Sequence, residues 1–249
     1  MPARRRTAEG TSPPNPLSGA ERGSTSSPRR RGAGGEVPLR LAELRARVLA
    51  AAKDASAMNL MTLTSGNFSA RDRESGLIAI TPSGRRYETM TAADIVLVQL
   101  DGTVVDGALK PSSETPLHLG VYAARPDVDG IAHVHSAHAN AVGALGLSVP
   151  PVVGTLWRYV GGTLRTATFM ESGSREYAAH ALAAMGECRA MIMANHGLLA
   201  IGVDVERALE TAAYAEEGAR VFLLARALGA PTSHPKPEAG MMYAPPWWT

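Results

Sequence analysis

Between Phe68 and Gly202 the apolar residues come in short runs that stop at Gly, Asn, Asp or Ser. Short apolar runs closed by turn formers read as hairpin strands, and hairpins pair antiparallel. Phe68–Arg71 and Gly76–Thr81 form two such strands around a polar turn at 72–75. Ile95–Leu100, Asp101-Gly102 and Thr103–Val105 repeat the pattern. Gly130–His135, Ala190–Ala194 and Gly197–Gly202 supply three more strands. Helical spacing separates them. Leu41, Leu44, Val48, Leu49 and Ala52 recur as on a helix face, with arginines between. Ser113–Ala124 reads as a helix starting at a Ser cap and ending before Arg125-Pro126. Ser136–Leu145, Thr168–Gly186 with its Ser-rich start, and the long Asp204–Leu228 complete the set. In the last, acids come early and Arg220 and Arg226 late, as the helix dipole favours. Hairpins with helices between them predict one α/β domain with a largely antiparallel sheet.

That domain is expected to span residues 37–232, between a tail at 1–36 and an aromatic-bearing segment at 233–249. The tail is rich in Pro, Gly, Ser, Thr and Arg and has almost no large apolar residues, so it is expected to stay disordered. Seven arginines against two acids give residues 1–35 a net charge of +5, leaving −3 for the remainder. The formal +2 of the whole chain therefore hides an acidic core, which carries no basic stripe interleaved with aromatics. Nucleic-acid binding is not expected. No apolar run is long enough for a bilayer, and no apolar stretch follows the N-terminal arginines as a secretory signal would require. The single cysteine, Cys188, excludes an internal disulfide and fits a reducing cytoplasm.

His133 and His135 stand two apart in an apolar strand, where alternation puts both imidazoles on one face. His196 follows a second apolar strand and precedes Gly197, at a junction where a side chain can enter a cleft. Three neutral imidazoles with one open position define a catalytic zinc site, although His-x-His alone is equally compatible with a paired core. His138, three after His135, is read as a structural histidine, with a further ligand or a donor to one as the alternative. His118, His180, His234 and Cys188 are read as structural.

Ser65-Gly66-Asn67, Thr81-Pro82-Ser83-Gly84 and Pro111-Ser112-Ser113-Glu114 are three loops rich in small hydrogen-bond donors. Hydroxyls, backbone N–H groups and a helix start suit phosphate oxygens. Glu114 stands beside this pocket, where a carboxylate near a metal-bound carbonyl can remove the adjacent proton.

Taken in order, Ser-Gly-Asn-Phe-Ser (65–69), Ile-Thr-Pro-Ser-Gly (80–84), Lys-Pro-Ser-Ser-Glu (110–114), His-Val-His (133–135) and Asn-His-Gly-Leu (195–198) resemble the class II aldolase/adducin family, and within it the fuculose-phosphate aldolases. The resemblance covers roughly residues 40–230. It implies a three-layer α/β sandwich with a nine-stranded, mostly antiparallel sheet, and a homotetramer with active sites at subunit interfaces. It implies zinc, or another divalent metal, on His133, His135 and His196, with Glu114 as acid/base. It implies phosphate binding by Asn67, Ser83, Gly84, Ser112 and Ser113. The implied reaction is reversible cleavage of a ketose 1-phosphate, of the L-fuculose or 5-deoxyribulose type, to dihydroxyacetone phosphate and an aldehyde through an enediolate. Fuculose-phosphate aldolases place a tyrosine where this chain has Gly154; Tyr159 and Tyr243 are the candidates to replace it. A methylthioribulose-1-phosphate dehydratase reaction and a non-catalytic adducin-like module are the alternatives on the same scaffold, and the intact histidine set with Glu114 argues against the second.

Overall fold

The computed structural model describes residues 40–171 and 175–238. The tail at 1–36 and Tyr243 lie outside them. Eight strands form one sheet: β1 (Asn67–Arg71), β2 (Ile78–Ile80), β3 (Val96–Val98), β4 (Val104–Asp106), β5 (Gly130–Val134), β6 (Arg165–Ala167), β7 (Ala190–Met193) and β8 (Gly197–Gly202). Their spatial order is β4-β3-β2-β1-β5-β8-β7-β6. Every pairing is antiparallel except β6–β7. The expected nine strands are thus eight among the described residues. Val149 and Leu164 meet in a lone antiparallel bridge. Pro150 and Pro151 follow at once and have no N–H with which to extend it.

Among the described residues five α-helices flank the sheet: α1 (Ala42–Ala57), α2 (Thr115–Ala124), α3 (Ala137–Ala144), α4 (Arg175–Met185) and α5 (Val205–Leu228). α1 and α5 pack on each other and on the centre of the sheet, α1 against β1 and α5 against β5 and β8. α2 and α4 pair with each other. They cover the face that carries Asn67, Ser69, His133 and Met193: His118 of α2 bonds to Ser69, Tyr177 of α4 to Met193, and Glu114 at the N-cap of α2 to Asn67 and His133. α1 buries Val48, Ala51, Ala52 and Ala55, and with them Arg45, which spacing had placed among the polar residues. Arg45 donates to the carbonyls of Arg40 and Ile95 and pairs with Asp106. A buried guanidinium is tolerable only when paired in this way, and here the pairs tie α1 to β3 and β4.

Two boundaries differ from expectation. α4 begins at Arg175 rather than Thr168: residues 168–171 are not helical, and the Thr168 carbonyl bonds to the His180 ring instead of to a helical N–H. α2 begins at Thr115, with Glu114 rather than Ser113 at its N-cap and Pro116 in its first turn. Among the described residues no helix is long and apolar enough to cross a membrane.

Candidate active site

The antiparallel sheet brings the C-terminal end of β5 beside the N-terminal ends of β1 and β8. Asn67 pairs with His133, and His133 with Leu199. His135 leaves the end of β5, and His196 precedes β8 in a turn where Asn195 takes a left-handed φ of 56°. Gly197 makes room for the two imidazoles. A Cβ there would stand 2.7 Å from His133 Cε1, 2.7 Å from the Val134 carbonyl and 3.1 Å from His135 Cδ2. Gly66, at φ 76°, lets the first loop approach the His133 carbonyl, which an added Cβ would meet at 2.6 Å.

His133, His135, His196 and Glu114 each offer one ligand atom, and these atoms lie within 4.8 Å of one another. The Nε2 atoms of His133 and His135 are 2.9 Å apart. Glu114 Oε2 is 3.0 Å from His133 Nε2, and Oε1 is 3.2 Å from His196 Nε2. His133 Nδ1–H donates to the Leu198 carbonyl at 3.0 Å. In the neutral ring that leaves a lone pair on Nε2, aimed at a second imidazole and a carboxylate. Lone pairs and a carboxylate can converge like this only around positive charge. A proton shared by His133 and His135 would still leave the Glu114 carboxylate facing the lone pair of His133 Nε2 at 3.0 Å. A cation among the four serves all of them, and three imidazoles with a carboxylate alongside are a fitting donor set for zinc or a similar divalent metal.

The electrostatics agree with this. Burial pushes His135 down to about 4, helped by the neighbouring His133 and His196, so it is a neutral ligand near pH 7. Burial alone would raise the Glu114 pKa. Positive charge at the His133 position, together with hydrogen bonds to the carboxylate from its neighbours, Asn67 among them, outweighs burial and holds the carboxyl well below its usual range.

Glu114 is also held from behind. Asn67 Nδ2 donates to Glu114 Oε2 at 2.7 Å, and Asn67 Oδ1 accepts from His118 Nε2–H at 2.6 Å. His118 Nδ1 accepts from Ser69 Oγ at 2.6 Å, which in turn accepts from the Tyr122 hydroxyl at 2.8 Å. Burial first, then the charge of His133, pushes His118 down to about 3, so the ring is neutral and can accept at Nδ1. The chain of donors therefore runs one way, from the core to the carboxylate.

A cleft of about 250 Å³ opens over this cluster. Its lining includes all five residues expected to bind phosphate: Asn67, Ser83, Gly84, Ser112 and Ser113. Thr64, Ser65, Gly66, Pro82, Glu114, His135 and His196 complete it. The two outer loops are tied together, Ser83 N–H to the Lys110 carbonyl and Ser112 N–H to that of Thr81. Ser112 Oγ accepts from the Glu114 N–H at 3.2 Å, and the Asn67 side chain already serves Glu114 and His118. Ser83, Gly84 and Ser113 are exposed.

Other predicted residues fall elsewhere. Tyr159 sits in a π-helical turn at Leu156–Val160, stacked on Tyr214 with ring centroids 3.9 Å apart, and lines a separate small cavity with Arg189 and Arg207. His138 bonds to Glu216 at 2.7 Å, so it is not a fourth member of the cluster. His180 bonds to Thr168, His234 to Pro235, and Cys188 to the Thr163 carbonyl.

Three residues that matter went unnoticed in the sequence. Tyr87 donates to the Gly66 carbonyl at 2.6 Å and braces the first loop. Glu216 of α5 accepts from the N–H groups of His138 and Ala139, capping α3 just after His135. The Tyr177 hydroxyl lies 2.8 Å from His196 Nδ1. Burial pushes that phenol up to about 12, so it keeps its proton.

The family model described as the class II aldolase and adducin N-terminal domain matches residues 46–223. The chain belongs to that family. A 5-deoxy-D-ribulose 1-phosphate aldolase of Bacillus thuringiensis serovar kurstaki is 34% identical over 194 residues, covering 78% of this chain and 91% of the relative. An L-ribulose-5-phosphate 4-epimerase, UlaF, of Salmonella paratyphi B is 36% identical over 197 residues, covering 75% and 86%. Among solved structures, an L-fuculose 1-phosphate aldolase superposes with a TM-score of 0.74 at 33% identity, covering 78% of this chain and 91% of its own.

Proposed function

We propose that this chain is a metal-dependent aldolase that reversibly cleaves a short ketose 1-phosphate, of the 5-deoxyribulose or fuculose type, to dihydroxyacetone phosphate and an aldehyde. The observation that carries this reading is the convergence of three imidazoles and Glu114 at the floor of a cleft rimmed by phosphate-sized donor loops. His133, His135 and His196 would hold the metal, and zinc suits their nitrogen donors. When bound, the ion supplies Lewis-acid stabilisation for negative charge on the substrate oxygens. The rim loops at 65–67, 82–84 and 112–113 bind the phosphate with backbone N–H groups and the exposed hydroxyls of Ser83 and Ser113. The dipole of α2 adds to that attraction. With the phosphate anchored at the rim, Glu114 lies at the carbon end of the substrate. There it takes a proton in the condensation direction and returns it after cleavage. The Asn67 amide donates to the carboxylate and aims it.

The aldehyde side is the open part of the reading. Tyr159 and Tyr243 are proposed to take the C4 hydroxyl proton on cleavage and to protonate the aldehyde oxygen on condensation, Tyr159 from a neighbouring subunit of a homotetramer whose active sites lie at subunit interfaces. The same reading takes residues 37–232 as the catalytic domain and a cytoplasmic setting for a sugar-phosphate enzyme.

A second reading is favoured by one finding, the relative named as a 4-epimerase. Inverting C4 of a ketose can use the same C3–C4 cleavage, followed by return of the aldehyde on its other face. A methylthioribulose-1-phosphate dehydratase would also share the first proton transfer. Incubating zinc-loaded protein with 5-deoxyribulose 1-phosphate and L-fuculose 1-phosphate separates these. Released dihydroxyacetone phosphate supports the aldolase. Epimerised or dehydrated product with an intact carbon skeleton, from these or from L-ribulose 5-phosphate, sinks it.

A further inference from the structure

Tyr177 belongs to no motif and stands behind the site. Its hydroxyl reaches His196 Nδ1 at 2.8 Å, on the opposite edge of the ring from the Nε2 that faces Glu114. The same oxygen lies 3.0 Å from Met193 Sδ. Tyr177 on α4 and Met193 at the end of β7 are each 2% exposed.

These contacts bear on which nitrogen of His196 carries the hydrogen. A neutral imidazole has one N–H. For Nε2 to offer a lone pair to a cation, the hydrogen must sit on Nδ1, and Tyr177 Oη is placed to accept it. The phenol then needs an acceptor for its own hydrogen, and the Met193 thioether supplies one. In the opposite arrangement the phenol donates to Nδ1, and the imidazole hydrogen sits on Nε2, pointing at Glu114 Oε1. That tautomer cannot ligate. The phenol and imidazole planes are 12° apart with centroids 6.0 Å apart, so the hydroxyl meets Nδ1 edge-on, along the direction of the ring's N–H or lone pair.

We propose that Tyr177 is a positioning residue for the metal site: with its proton directed to Met193 Sδ, its hydroxyl holds His196 in the Nδ1–H tautomer and aims Nε2 at the ion. This rests on the metal-site reading above and goes beyond it in assigning the partner that sets the third ligand. Hydrogen-bond partners of ligating imidazoles typically change metal affinity by about 10–100-fold when removed.

The test is calorimetric titration of zinc into the chelator-stripped full-length chain, alongside the melting temperature of the stripped protein. Tyr177→Phe is expected to bind zinc about 10–100-fold more weakly, with the stripped protein melting as the wild type does. Met193→Leu, which removes the thioether acceptor, is expected to weaken binding as well. The double variant should bind no more weakly than Tyr177→Phe alone, because both changes act through one hydrogen. Wild-type affinity in Tyr177→Phe, or single losses that simply add, would overturn the proposal while leaving the metal site standing. A wild-type chain that takes up no zinc would overturn the metal site and this assignment together.

Discussion

Glu114 is a carboxylate that burial should neutralise, and its neighbours decide otherwise. Nitrogens of His133, His196 and Asn67 surround its two oxygens and favour the charged form. Glu114→Gln is expected to keep zinc, since three imidazoles remain, and to lower kcat by about 10²–10⁴-fold with little change in KM. Stoichiometric metal analysis beside steady-state kinetics checks both. Gly197→Ala pushes a methyl into His133 and the Val134 carbonyl. It should cost about 1–3 kcal/mol of stability and reduce zinc occupancy, read by urea titration and metal analysis. His118 carries a pH prediction. Its pKa drops from 6.5 to about 3 on folding, so the folded state resists a proton that the unfolded chain accepts. Stability from this group is complete above pH 6.5 and is lost as the pH falls toward 3. In metal-stripped protein, His118→Gln should flatten that acid loss, as urea midpoints across the window will report. The pairing of His133 with His135 was legible because strand alternation puts both on one face, and Glu114 because it stands at a helix start beside the donor loops. Tyr177, Tyr87 and Glu216 were not. Each acts through a contact made by tertiary packing, and nothing in its immediate sequence marks it.

At the level of elements, the site depends on an antiparallel junction. β5 ends where β1 and β8 begin, so one register places Asn67 beside His133 and brings His196 within reach. The strands of this junction were readable from their apolar runs and turn residues. β6 was not, because its parallel partner β7 lies more than twenty residues further on and its three residues carry no alternation. The start of α2 was displaced because Ser112 and Ser113 suit a cap equally well by type. Ser112 Oγ instead receives the Glu114 N–H within the loop. The start of α3 is satisfied from outside, by Glu216, with no cap bond from Ser136. Glu216→Ala should therefore cost about 0.5–2 kcal/mol, as an ordinary cap does, and loosen the turn that carries His135. Thermal melting and zinc titration of that variant would register both effects.

For the whole molecule, a metal that binds only the folded chain adds to its stability by mass action. At free zinc 100-fold above the dissociation constant the gain is about 2.7 kcal/mol, several degrees of melting temperature for a domain of this size. Chelation should reverse it. The most direct test of a metal site served by Glu114 avoids the unknown aldehyde altogether. It follows deuterium from solvent into C3 of dihydroxyacetone phosphate by NMR. Zinc-loaded protein is expected to exchange one hydrogen stereospecifically, and chelated protein and Glu114→Gln to exchange none. Exchange that persists after the metal is stripped or the carboxylate removed would contradict the assignment.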